Sequence, residues 1–148
     1  MTKDNLIIKK ENKVAIITFN RPDSLNALTR EMLDNLVHIL KKLDMDSDVR
    51  AVVLTGSGRA FCAGGDVKSM ASGRDDGVPL EQRTLDLRNR MEVSRLLYEL
   101  SKPTIAMISG PAAGAGMSIA LACDLRIASE NARLVTAFSN VALSGDFG

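Results

Sequence analysis

Residues 59–68 read Arg-Ala-Phe-Cys-Ala-Gly-Gly-Asp-Val-Lys and follow the apolar run Ala-Val-Val-Leu-Thr at 51–55. That run is short, contains β-branched residues and is ended by Gly56, which predicts a fully buried strand. The glycine pair then opens toward a helix start, with Asp66 in or near the first turn. Exposed backbone N–H groups at such a turn can bind an anion, and glycine allows a close approach to the backbone. A strand-to-helix turn without a ligand is the competing interpretation, because short glycine motifs are weak signals.

The same arrangement occurs a second time. The apolar run 104–108 predicts a second buried strand, and it leads into the small-residue turn 109–116 and a short apolar helix at 117–123. Strands and helices that alternate around two such turns indicate an α/β layered fold. Neither turn has the glycine spacing of a dinucleotide or P-loop phosphate site.

The remaining segments contain further periodic patterns and breaks. We predict a hairpin with strands at 6–8 and 14–19, and a helix that Thr29 caps and that extends to about Leu43. A loop at 71–79 is interpreted as a lid or pocket wall. We also predict a long helix from about 80 to 100, with Leu87, Met91, Leu97 and Leu100 on one face, and short strands at 125–128 and 133–135.

Composition limits the classes of function. The 148 residues are 45% hydrophobic and 25% charged, which is typical of one globular domain. A net charge of +1 and 3% aromatic residues do not favour binding to nucleic acid or to a membrane surface. Without an apolar span or a signal-peptide core, we expect a cytoplasmic protein. Cys62 and Cys123 form no metal-ligand pattern, and we expect both to be small buried residues.

Five motifs in order resemble the crotonase superfamily of enoyl-CoA hydratases and isomerases. They lie at 20–22 with 25–28, at 49–56, at 60–66, at 102–106 and at 122–128. The resemblance implies a spiral of repeated ββα units, built as homotrimers or hexamers at full length. Residues 1–148 would then be the N-terminal core, without the C-terminal helices that form the trimer. A naturally short relative is the alternative.

The resemblance gives both glycine turns a role. The family stabilises a thioester enolate with two backbone N–H donors, and removal of one such donor costs about 10²–10³ in rate. Gly65 resembles the first donor, and Ala115 resembles the second, where many members have glycine. No cofactor is implied, since the CoA thioester is the substrate. The positions that resemble the family's CoA-binding segments are Ser24, Leu25, Ala27, Ala63, Gly64, Gly65, Asp66, Val67 and Ala115.

The catalytic acids are where this sequence departs from typical hydratases. Their two glutamate positions correspond here to Ser118 and Phe138, so activation of water by two carboxylates is not expected. Asp146 aligns with the aspartate of some enoyl-CoA isomerases of the superfamily. One carboxylate suits a 1,3-proton shift, and burial in an apolar pocket would raise its pKa toward working pH. The resemblance therefore implies an isomerase with Asp146 as its acid and base; a turn aspartate is the competing interpretation.

Three other functions stay open. Hydration or another enolate reaction is one, and a non-catalytic CoA-binding member, suggested by the loss of both glutamates, is another. A serine peptidase of the related spiral fold would need Ser118 together with His38, the only histidine. His38 lies upstream on a different predicted helix, and we expect it at the surface.

Overall fold

In a computed structural model of the protein, the described residues are 4–68, 77–141, 144, 145 and 147. The strands are β1 (Leu6–Glu11), β2 (Val14–Phe19), β3 (Ala51–Gly56), β4 (Thr104–Ile108), β5 (Pro111–Ala113), β6 (Leu125–Ala128) and β7 (Arg133–Val135). The α-helices are α1 (Arg30–Asp44), α2 (Leu80–Glu99) and α3 (Ala115–Ala122), with 3-10 turns at Pro22–Ser24 and Phe138–Val141.

A five-stranded sheet in the order β1-β2-β3-β4-β6 forms the first layer. β1 and β2 are an antiparallel hairpin, and the other neighbours are parallel. The two turn residues of the hairpin, Asn12 and Lys13, both have positive φ (49° and 64°), as a type I′ turn requires. The predicted hairpin is confirmed, but β1 is longer than predicted. Residues 9–11, which lie outside the predicted strand at 6–8, pair with β2 at the sheet edge, where polar side chains reach water.

A second layer consists of much shorter pairings. β5 pairs with β7 in parallel, and single parallel bridges join Cys62 to Ala112 and Leu28 to Gly65. Each parallel strand of the first layer is therefore followed by a second-layer segment: β2 by Leu28, β3 by Cys62, β4 by β5 and β6 by β7. The helices α1, α2 and α3 follow the first three of these pairs. This order confirms the expected spiral of repeated ββα units.

The helix predicted after Thr29 is confirmed. Thr29 Oγ1 accepts a hydrogen bond from Met32 N–H (3.1 Å), which satisfies a backbone donor that the helix itself leaves open. The buried side chains of α1 recur at helical spacing and belong to the hydrophobic core that β2 and β3 also line; they are Met32, Leu33, Leu36, Leu40 and Leu43.

Three predictions about the other elements need correction. Leu87 is not part of a buried face of α2, because the buried residues of that helix lie in its C-terminal half, and Leu87 is 42% exposed. α3 begins at Ala115 rather than 117, since Gly114 takes a positive φ (50°) and caps the helix there. β3, predicted to be fully buried, and β4, predicted to be buried, are both only partly buried: Ala51 and Val53 are half-buried, and Met107 is 43% exposed.

The core reaches the first glycine turn through an aromatic contact. The rings of Phe19 and Phe61 meet edge to face with centroids 5.6 Å apart, and both side chains are fully buried. Each such side chain contributes about 1.5–3 kcal/mol through burial. The residues of β6 and β7, in contrast, are all exposed. The helix predicted after the first turn is helical at Val67 and Lys68, while its remainder and residues 71–76 of the predicted loop lie outside the described residues.

Candidate active site

The turn after β3 is joined directly to the turn after β4. Cys62 N–H donates to the carbonyl oxygen of Pro111 (3.2 Å), and Cys62 O accepts a bond from Ala113 N–H (2.9 Å). These bonds surround the bridge between Cys62 and Ala112. The two predicted glycine turns therefore lie side by side.

The direction of the Gly65 N–H group follows from the peptide that contains it. Gly64 O belongs to the same peptide and accepts a bond from Leu28 N–H (2.7 Å). Because a trans peptide holds its C=O and N–H on opposite sides, Gly65 N–H points away from Leu28. Asp66 N–H donates to Leu28 O (3.0 Å), so the peptides on both sides of the Gly65 Cα are attached to one residue.

Gly64 lies against the second turn. Its φ of +91° is in the region that favours glycine, and a Cβ atom there would lie 2.8 Å from Ala113 O and 3.5 Å from Ala115 N. Any side chain would therefore be strained and would collide with backbone. Gly64 N–H is directed at Cys62 Sγ (3.4 Å), so this amide is used within the turn.

The second turn presents the first amide of a helix. Ala115 begins α3, and N–H groups in a first helical turn lack intrahelical partners and favour negative charge. The positive φ falls on Gly114, so alanine at 115 costs no backbone strain. Gly114 N–H donates to Val135 O on β7 (2.9 Å). A Cβ on Gly116 would lie 2.4 Å from Cys62 O, so the first turn of α3 sits directly on the first glycine turn.

Both predicted donors are open. Within residues 4–68, 77–141, 144, 145 and 147, the backbone N–H groups of Gly65 and Ala115 donate no hydrogen bond. Gly65 is half-buried and Ala115 is buried, so both amides are partly shielded from water. Two open backbone donors on adjoining turns can stabilise one oxygen atom that gains negative charge.

Seven of the nine predicted CoA-binding positions form one partly exposed rim beside the first turn, whereas Gly64 is buried within that turn and Ala115 is buried at the start of α3. Ala63 N–H donates to Leu25 O (2.9 Å), which holds residues 24–27 against residues 63–67. The rim has two exposed members, Ser24 and Val67, and half-buried members at Leu25, Ala27, Ala63, Gly65 and Asp66. The structure brings these residues together, and their binding of CoA stays a prediction.

The predicted catalytic acid, Asp146, lies outside the described residues. The two positions where typical hydratases have glutamate are described. Ser118 is buried on α3, and the ring of Phe138 lies beside the start of that helix, where its Cε1 would be 3.7 Å from a Cβ placed on Gly114. Neither side chain can act as a carboxylate.

The serine-peptidase alternative gains no support from the described residues. His38 is exposed on α1, as predicted, and lines a cavity between β1 and α1 together with Glu31 and Asn35. Ser118, on α3, is not among the residues that line this cavity. Ser118 is buried on a different helix, so the described residues show no nucleophile–base pair of the kind that such an enzyme needs.

Both cysteines are free and buried, as predicted. Burial raises the pKa of the Cys62 and Cys123 thiols from 9.0 to about 12, so both stay protonated at neutral pH. In the described part of the chain, no group of three or more His, Cys, Asp or Glu side chains could hold a metal ion. Nor do those residues include a helix that is both long and apolar enough to cross a bilayer.

Sequence analysis missed the structural role of Asn26, which is fully buried. Its Oδ1 accepts a bond from Arg21 N–H (2.9 Å), and its Nδ2 donates to Ser57 O (2.9 Å) and Ala60 O (2.8 Å). Asn26 therefore fastens residues 21–28 to the segment that enters the first glycine turn. Its positive φ (59°) suits asparagine in a turn, but no pattern in the sequence indicates that the side chain is buried.

Comparison with known proteins places the chain in a family. A family model described as enoyl-CoA hydratase/isomerase matches residues 9–148. A short-chain-enoyl-CoA hydratase from Clostridium acetobutylicum is 40% identical, over 100% of this chain and 55% of its own length. A 1,2-epoxyphenylacetyl-CoA isomerase from Escherichia coli is 38% identical, over 93% of this chain and 52% of its own length.

The fold agrees with these sequence matches. The crystal structure of an enoyl-CoA hydratase from Bacillus anthracis has a TM-score of 0.85 and 34% identity, over 98% of this chain and 55% of that one. The chain spans about half the length of the relatives that it matches. Since the family model covers nearly the whole chain and the fold agrees, the chain belongs to the enoyl-CoA hydratase/isomerase family of the crotonase superfamily.

Proposed function

We propose that the full-length protein is an enzyme that acts on an acyl-CoA thioester. Gly65 N–H and Ala115 N–H would bind the thioester oxygen and stabilise the enolate form of the substrate. The observation that supports this proposal is the pair of open backbone donors on two turns that are hydrogen-bonded to each other.

The chemistry of a thioester fits these donors. Removal of a proton next to the carbonyl carbon places negative charge on the carbonyl oxygen. Donors that are already oriented stabilise this charge without reorganisation, and each contributes about 10²–10³ in rate. No cofactor is needed for this step, since the thioester itself accepts the charge.

Within this class we propose isomerisation of a 3-enoyl-CoA to a 2-enoyl-CoA. Asp146 would take a proton from the carbon next to the carbonyl and return a proton to the far end of the double bond. The support is chemical: with Ser118 and Phe138 at the two glutamate positions, Asp146 is the remaining acid that the family resemblance offers. We also propose assembly as a homotrimer or hexamer, as the resemblance implies.

Hydration is the second candidate. It is favoured by the name of the Clostridium acetobutylicum relative, a short-chain-enoyl-CoA hydratase that is 40% identical. Against it stands the absence of a carboxylate at residues 118 and 138, because hydration needs a base for water and an acid for the adjoining carbon. A non-catalytic CoA-binding protein would keep the rim of residues 24–27 and 63–67 without turnover.

The experiment is an assay of the full-length protein with a 3-enoyl-CoA and a 2-enoyl-CoA as separate substrates. We expect conversion of the 3-enoyl substrate alone, and a loss of about 10²–10⁴ in kcat on Asp146→Asn. Asp48→Asn, at an exposed position between α1 and β3, is the matched control and should leave kcat unchanged. Addition of water to the 2-enoyl substrate would indicate a hydratase, and binding of CoA without turnover would indicate a non-catalytic member.

A further inference from the structure

The Arg21 side chain contacts both Ala27 of the rim and Asp66, the residue that follows the Gly65 donor. Its Nη2 lies 2.9 Å from Asp66 Oδ2, and its Nη1 donates to Ala27 O at 2.5 Å. The Arg21 side chain is 21% exposed and that of Asp66 is 15% exposed. The pair is therefore largely withdrawn from water, unlike a typical surface ion pair.

The ion pair acts on the residue next to the Gly65 donor. Asp66 directly follows Gly65, and its N–H donates to Leu28 O (3.0 Å). Its side chain and its backbone are thus both attached to the segment 21–28. The same segment holds the peptide of the Gly65 donor, since Leu28 N–H donates to Gly64 O (2.7 Å).

The backbone of Arg21 is itself held in place. Its backbone N–H donates to Oδ1 of the buried Asn26 (2.9 Å). The guanidinium group is a rigid planar fork, so a fixed backbone gives its two contacts a defined geometry. A movement of Asp66 away from Arg21 would pull on the Leu28 contacts that orient Gly65 N–H.

We propose that Arg21 is a positioning residue of the oxyanion hole, which it orients through Asp66. Its ion pair fixes the peptide of residues 64 and 65, so that Gly65 N–H points at the thioester oxygen. This inference rests on the proposed function, because it assigns Arg21 a role in the same reaction. Contact with the thioester carbonyl is not required of Arg21.

Two roles compete with positioning, and they give different measurements. If Arg21 only stabilised the fold, its loss would lower the melting temperature and leave kcat of the folded enzyme unchanged. If Arg21 bound CoA directly, its loss would weaken the binding of free CoA as much as it lowers kcat/KM. Positioning lowers kcat and leaves the Kd for free CoA nearly unchanged, since free CoA has no thioester carbonyl.

The test uses the full-length protein with Arg21→Gln and Arg21→Lys. A catalytic group displaced by about 1 Å costs up to about 10²-fold, so we expect kcat to fall about tenfold to 10²-fold in Arg21→Gln. Lysine keeps the charge but cannot make both contacts, so Arg21→Lys should recover part of kcat. Arg95→Gln, which removes two exposed ion pairs on α2, to Glu92 and Glu99, is the control and should leave kcat unchanged.

Amide hydrogen exchange gives a readout that does not depend on turnover. We expect Leu28 N–H, the donor to Gly64 O, to exchange faster in Arg21→Gln and to keep its rate in Arg95→Gln. If the natural protein converts no enoyl-CoA but Leu28 loses protection, the proposed function fails, while the coupling of Arg21 to the peptide of residues 64 and 65 stands. Unchanged kcat and unchanged Leu28 exchange in a folded Arg21→Gln would overturn the positioning role, as would equal losses in kcat/KM and in affinity for free CoA.

Discussion

The two glycine turns each supply one backbone donor, but they are held in different ways. At the first turn, Leu28, Asp66 and Arg21 attach the Gly65 donor to a segment that the buried Asn26 fastens. The second turn is held by Cys62 on one side and by an exposed strand, β7, on the other. One donor is therefore fixed by interior contacts, and the other is held partly by a hydrogen bond to an exposed strand.

The largest effect is expected from Gly64→Ala, which tests the contact between the turns. The positive φ alone costs about 1–3 kcal/mol of stability for a residue with a side chain. The new Cβ would also lie 2.8 Å from Ala113 O, so the turns must separate. If the two backbone donors move apart by about 1 Å, kcat should fall by about 10²-fold.

The matched control for backbone strain is Gly77→Ala. Gly77 has a similar φ (+84°), and no described atom lies within 4 Å of a Cβ placed there. Chemical denaturation should show the strain cost alone in this variant. Equal loss of stability in both variants, with normal kcat in Gly64→Ala, would show that the close approach of the turns is unimportant.

Gly116→Ala tests the second turn by a similar collision. Its Cβ would lie 2.4 Å from Cys62 O, so α3 must move off the first turn and carry Ala115 N–H with it. Overpacking of this kind costs about 1–3 kcal/mol. Gly116 does not have a positive φ, so alanine adds no backbone strain there, and we expect a smaller loss of stability than in Gly64→Ala. Thermal unfolding of both variants checks this order, and a larger loss of stability in Gly116→Ala would contradict it. A normal kcat in Gly116→Ala would show that Ala115 N–H does not move with α3.

Cys62 and Cys123 make the stability of the protein depend on pH above neutrality. Both have a pKa raised by burial from 9.0 to about 12, so the folded state favours the protonated thiol. Their stabilisation is complete below pH 9 and is lost as pH rises from 9 toward 12, by about 1.4 kcal/mol per pH unit for each thiol. Denaturation of the Cys62→Ala/Cys123→Ala variant over this range provides the control, because it lacks this slope.

Thiol labelling of the native protein separates the two cysteines. Cys123 precedes the exposed strand β6, whereas Cys62 lies between the turns. Local opening should therefore expose Cys123 first, and a thiol reagent at pH 8 should modify it faster than Cys62. Faster modification of Cys62 would mean that the first turn is the looser region.

The smallest effect is expected from Asp124→Asn at the start of β6. Asp124 Oδ2 accepts bonds from Thr104 N–H (2.7 Å) and Thr104 Oγ1 (2.9 Å), and these bonds hold the pKa of that carboxyl below its ordinary 3.8. The resulting stability is present above pH 3.8 and is lost as pH falls below that value. Because Asp124 is exposed, the loss in Asp124→Asn at pH 7 should be at most about 1 kcal/mol, measured by denaturation. A larger loss would show that this edge is held more tightly than its exposure indicates.

Elements with a local signal could be predicted from the sequence. The hairpin, the Thr29 cap and the strands at 51–55 and 104–108 follow from periodicity, turn residues and capping chemistry. The turn around Gly65 could also be located, since a glycine pair directly after an apolar run favours a turn at the end of a strand. Such signals depend on neighbours in the chain.

Features that depend on distant contacts could not be predicted. The bridges at Leu28 and Cys62 are single pairings, too short to leave a pattern. The exposure of Leu87 depends on where α2 stops packing, and the burial of Asn26 depends on carbonyl groups more than 30 residues away. The Arg21–Asp66 pair likewise joins residues that no local rule relates.

The most direct test of the two-donor oxyanion hole is an NMR titration of the full-length protein. The ligands are an acyl-CoA thioester and the matching alkyl-CoA thioether, which has the same chain and no carbonyl oxygen. If Gly65 N–H and Ala115 N–H bind that oxygen, both amide protons should move downfield with the thioester and not with the thioether. Equal shifts with the two ligands, or no shift of either amide, would contradict the assignment of these donors.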